Sequence, residues 1–151
     1  MATFTKLNGF VEHLAEKVHN LGSDTLTLAL SNTAPGSEGT PPTGSTAACV
    51  LANVTQISYT NYSDNLTVDR TLESVTFAES GGTTKFDAGD FIITASGGAL
   101  ATFRYIYVYD DTPTSPADPL VAVWDYGSGI TLADTQTATI TFHANGMFTV
   151  T

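Results

Sequence analysis

Asp110, Asp111, Asp118 and Asp125 are the residues whose type and grouping come nearest to chemistry. Carboxylates gathered at strand ends can converge as oxygen ligands for a hard cation such as calcium. Their spacing matches no calcium loop, however, and Pro113, Pro116 and Pro119 lie among them. Aspartates in such surroundings bond their own backbone and make turns. The expectation is four turn-forming residues and no metal. His13 and His19 are six apart on an expected helix, so one helical face cannot offer both to one ion. No His-Glu-x-x-His pattern occurs. His143 stands alone near a strand end, and all three histidines are expected to be surface or packing residues. "GSG" at 127–129 lacks the Gly-x-Ser-x-Gly of a nucleophile elbow. "ESGGTTK" at 79–85 lacks the spacing of a phosphate-cradling loop. Cys49 has no evident activating base and is expected to pack as a small side chain. Tyr59 and Tyr62, beside several Asn, are the aromatics that a loop could offer to a sugar. The residues therefore predict no catalytic set, no cofactor site and no metal site, and a protein that is not an enzyme.

The elements that would position these residues are mostly strands. In "FRYIYVYDD" (103–111) both parities up to Tyr109 are apolar apart from Arg104, which predicts a central strand covered on both faces. Arg104 is expected either to close on an acid at the sheet's end or to lay its stem along the sheet with its head in water. "PLVAVWDYGSG" (119–129) has the same design and is expected to end in a Gly-rich turn. In "KLNGFVEHLAEKVHNLG", Leu7, Phe10, Val11, Leu14, Val18 and Leu21 recur at helical spacing. This predicts a helix over 6–21, with Thr5 as N-cap and Gly22 as the residue closing the C-terminus. A short N-terminal arm (1–5) precedes it. Leu26, Leu28 and Leu30 then alternate with Thr and Ala, predicting a strand over 24–32. The Pro- and Gly-rich stretch 33–48 reads as a long surface loop, a candidate contact arm. Residues 49–65 are ambiguous between a short helix and an irregular edge. Further strands are expected near 66–79, 83–88, 90–95, 101–110, 119–125, 136–143 and 146–151. Asn145-Gly146 between the last two is the strongest hairpin signal. The fold class predicted is all-β: a single-domain β-sandwich, jelly-roll or Ig-like, with one short N-terminal α-helix.

Composition bounds the function. Fifteen acids against five bases give a net charge of −10. Counterion release at phosphates needs Lys and Arg, so nucleic acid is excluded as a partner, and an anionic membrane is disfavoured. Only 13% of residues are charged and Thr is abundant, which suits strands with uncharged polar faces. The single cysteine, Cys49, permits no intrachain disulfide. "MATFTKLNGF" shows no secretory pattern, and no apolar run is long enough to span a bilayer.

Two segments together carry a resemblance: "FVEHLAEKVHNLGSDTLTLALSNTAP" (10–35) and "FRYIYVYDDTPTSPADPLVAVWDYGSGITLADTQTATITF" (103–142). A short amphipathic helix ends in a His-Asn-Leu-Gly turn and leads into an Asp-Thr-Leu strand. A later strand ends in Trp124, Asp125, Tyr126 and Gly127. In these features the chain resembles a family of small virion structural proteins of tailed bacteriophages, decoration- or cement-like. The match is weakest over 36–65. The resemblance implies a particle component, made in the bacterial host cytoplasm, and no particular job. Small size, strong acidity, one cysteine and the lack of a catalytic set make a decoration or cement protein on the outside of the head the expectation, with the major capsid protein as partner. A homo-oligomer, preferably a trimer, is expected because symmetric lattices offer symmetric sites. A tail- or fibre-associated component and a carbohydrate-binding module are the alternatives.

Overall fold

The computed structural model describes residues 2–36, 48–64 and 70–150. In chain order the elements are β1 (Thr3–Lys6), α1 (Asn8–Ala15), β2 (Leu26–Ser31), a 3₁₀ turn (Leu51–Asn53), β3 (Tyr62–Asp64), β4 (Thr76–Ser80), β5 (Thr83–Asp87), β6 (Phe91–Ala95), β7 (Leu100–Asp110), β8 (Leu120–Leu132), β9 (Thr137–Ile140) and β10 (Phe148–Val150). They form a main sheet ordered β1-β8-β7-β2 and two smaller sheets, β10-β5-β4 and β3-β6-β9. Every pairing is antiparallel. The architecture is sandwich-like all-β with one short helix, as the patterning predicted.

β7 and β8 are the centre of the main sheet. Register puts Leu26, Leu28 and Leu30 opposite Asp110, Val108 and Ile106. Val108 and Ile106 lie in turn opposite Ala122 and Trp124. Paired residues share a face. On that face Phe4, opposite Trp124, begins a chain of aromatic contacts through Phe148 to Phe10 and Phe86. The other face carries Tyr105, Tyr107 and Tyr109, all buried, beside Thr27, Ala29 and Ser31. Residues 103–109 thus make a strand covered on both sides, as expected. Each fully buried Leu or Phe here contributes about 1.5–3 kcal/mol relative to exposure.

The helix is shorter than predicted. It ends at Ala15, and Lys17 takes a left-handed φ of 62°. The Val18 amide donates to the His13 carbonyl and the Lys17 amide to the Leu14 carbonyl. These two bonds are the Schellman closure, with Lys17 in the place expected of Gly22. The N-cap is Leu7, without a side-chain bond, and not Thr5. Thr5 belongs to β1, so the predicted arm 1–5 is largely an ordered strand. Apolar spacing continued past Ala15 because Val18, His19 and Leu21 turn inward from the turns that follow the helix.

Three further expectations are corrected. The glycines at 127–129 do not end their strand; β8 continues to Leu132, because Phe103 and Leu100 give Ile130 and Leu132 partners. Asn145-Gly146 does turn the chain, with the Gly146 amide donating to the His143 carbonyl. It joins no hairpin: β9 pairs with β6 and β10 with β5, in different sheets. The strand expected over 66–79 begins at Thr76, and 65–69 lie outside the described residues. Residues 37–47 of the predicted loop 33–48 also lie outside them.

Candidate functional site

The acids and histidines singled out by type are engaged within the fold. Arg104 donates through Nε and Nη2 to the two oxygens of Asp125, at 2.7 and 2.8 Å. This bidentate bond holds the Asp125 carboxyl below its ordinary range and raises the guanidinium. Asp125 also accepts the Gly127 amide, a turn bond of the predicted kind. Asp111 and Asp118 face each other, and burial together with the Asp111 charge pushes Asp118 up.

Asp110 is fully buried. One of its oxygens accepts the Thr112 amide, the expected turn bond, and the other lies 3.0 Å from His19 Nδ1. His13 and His19 do come together, against the expectation from helical faces, because His19 has left the helix. Their rings stand edge to face, 5.6 Å apart. Burial, and then the neighbouring His19, lowers the His13 pKa. Both His13 Nδ1 and His19 Nε2 are buried without a hydrogen-bond partner. Asp24 completes the cluster; burial, and then the charge of Asp110 beside it, raises its pKa. His143 is exposed and accepts the Asn145 amide. Cys49 is a buried thiol outside any disulfide, pushed up by burial. Tyr59 is not free to stack on a sugar: its hydroxyl bonds Leu30 and Gln56, and the Arg70 guanidinium lies 3.9 Å over its ring. Tyr62 packs edge to face on Tyr59. Among the described residues no group of three or more His, Cys, Asp and Glu could hold a metal ion.

What remains available for a partner is an edge. β2 bounds the main sheet on one side, and its outer backbone groups are taken. Leu28 donates to the Arg70 carbonyl, Ile57 and Leu72 donate to the Leu30 and Leu26 carbonyls, and the Leu30 amide donates to the Tyr59 hydroxyl. β1 bounds the other side. It pairs with β8 on its inner side, and among the described residues nothing pairs with its outer side. All four of its residues are exposed, Phe4 at 39%.

Two apolar depressions of about 300 Å³ each open near β1, one lined by Trp124 and the other by its cross-strand partner Phe4. One is walled by Ala2, Trp124, Tyr126 and Phe142. The other is walled by Phe4, Lys6, Phe10, Val11, Leu14 and Phe148. Val11 and Tyr126 are both half exposed. Among the described residues Lys6 and Lys17 are the bases with neither an ion pair nor a ring beneath them. Arg104 and Lys85 have carboxylate partners, and Arg70 covers Tyr59. Among the described residues Lys6 has no acidic partner. This site escaped the sequence reading, although "TFTK" alternates as a strand should. Comparison with family models, with curated proteins and with solved structures finds no match.

Proposed function

We propose that this is a structural protein of a tailed-phage particle, acting as a decoration or cement protein on the outer surface of the head. One observation carries the reading. The two segments that resemble the phage family, 10–35 and 103–142, pack on each other as α1, β2, β7 and β8. Their polar signature residues serve the fold: His19 bonds Asp110, and Asp125 bonds Arg104. A signature made of such residues marks a scaffold, not a reaction centre. A net charge of −10 suits the outside of a DNA-filled shell, because it repels nucleic acid and favours solubility. The major capsid protein is the partner, and a trimer matches the three-fold positions of a capsid lattice.

Copy number in purified virions tests this. Hundreds of copies per particle, retained after a wash in molar salt, are expected of an uncharged cement interface. A handful of copies that follow the tails after heads and tails are separated would move the protein to the tail. Release by salt with the shell intact would make the contact electrostatic and overturn the interface.

A further inference from the structure

We infer that β1 is an acceptor edge for an extended segment of another protein, which adds as a fifth strand, sets alternate apolar side chains beside Phe4 and brings a carboxylate to Lys6. The inference rests on the edge itself and stands wherever the protein resides. Three observations converge on it. Among the described residues the outer side of β1 offers an unpaired row of backbone donors and acceptors, the requirement for strand addition. One depression is lined by Phe4 and the other by Trp124, which lies opposite Phe4 on the same face. A strand added beside β1 presents every second side chain to that face. Third, Lys6 is among the residues that line the depression between α1 and β10.

The charge of Lys6 selects the occupant. A lysine on an exposed edge disfavours pairing with an uncharged or basic strand. It costs nothing against a strand that places an acid within reach, and opposite charges across strands attract. Self-pairing with the β1 of a second copy supplies no such acid, since that strand reads Thr-Phe-Thr-Lys. It would also bring a second charge of −10 alongside the first. Four residues of β1 limit the added strand to a short segment.

The test uses the whole protein and two labelled peptides with blocked termini. One is Thr-Val-Thr-Phe-Thr-Glu-Thr, and the other has Lys in place of Glu. Fluorescence anisotropy should show the acidic peptide binding roughly two- to tenfold more tightly, the range of an exposed ion pair and its reversal. K6E should invert that preference. Amide shifts on titration should centre on residues 3–6. Methylating the backbone nitrogens of alternate peptide residues, in the two possible phases, should abolish binding in one phase and spare it in the other. Equal affinity of the two peptides, an unchanged preference in K6E, shifts away from β1, or no binding at millimolar peptide would each overturn the inference. So would an assembly of the protein alone that K6E dissolves, because the occupant would then be a second copy.

Discussion

β2 and β1 bound the same sheet, each beside one strand of the central pair, yet they are finished differently. β2 is buried along its whole length, and backbone from 57 and 70–72 continues its ladder. Arg70 adds a bond from Nε to the Leu28 carbonyl and lies over Tyr59. β1 is exposed along its whole length and, among the described residues, bonded on one side only. Open edges invite pairing with other chains, and folds ordinarily cover, twist or charge them. This fold covers one and leaves the other with a lysine. The difference separates what stabilises the molecule from what is free to meet another.

Breaking the closed side should have the largest effect. Leu28→Ala removes a side chain that is 1% exposed. A loss of about 2–5 kcal/mol is expected in denaturant unfolding. A loss under about 1 kcal/mol would mean that β2 is not the anchored edge. Arg70→Ala tests the cover itself. It removes the Nε bond and the cation above Tyr59, and a loss of about 1–3 kcal/mol is expected.

The closed side also holds the buried titratable cluster, which gives it a pH dependence. His13 is held below its usual value of 6.5. Its contribution is therefore complete above 6.5 and is lost as pH falls through the lowered value. Asp24, raised above 3.8, acts in the opposite sense: its contribution is complete below 3.8 and fades as pH rises. Melting temperature measured from pH 7 to pH 5 should fall in the wild type and fall less in His13→Gln. Asp24→Asn should raise it near neutrality. The smallest effect on stability belongs to the open side. Lys6→Glu should change unfolding by no more than about 0.5 kcal/mol while it inverts the peptide preference. A large destabilisation would show that Lys6 supports the fold.

The parts legible in the sequence are those whose signal is local. Both parities of 103–109 are apolar, and the strand they form is covered on both faces. Arg104 is the exception in its apolar strand, expected to close on an acid or reach water, and it closes on Asp125. What was not legible depends on partners distant in the chain. Helical spacing through Leu21 could not reveal that the helix closes at Lys17, because His19 turns inward to meet Asp110 on β7. The Asn-Gly turn was visible, but not that its two strands join different sheets. The candidate site was the least legible. "TFTK" can be read as a strand, but its openness is set by what the rest of the chain leaves unpaired.

The register of β1 also sets a schedule. Thr3 pairs with Asp125 and Lys6 with Ala122, so β1 waits for a strand made much later in the chain. β2 likewise waits for β7, and α1, eight residues long, is too short to persist alone. During synthesis at about 5–20 residues per second, these segments stay without their partners for on the order of ten seconds. Pairing between distant segments is slow even in the finished chain. For that interval "TLTLALS" is an apolar, uncharged strand with both edges bare, the kind of segment that aggregates. Expression should therefore be sensitive to temperature and to chaperone supply, and a gain in yield on slowing growth is the expected sign.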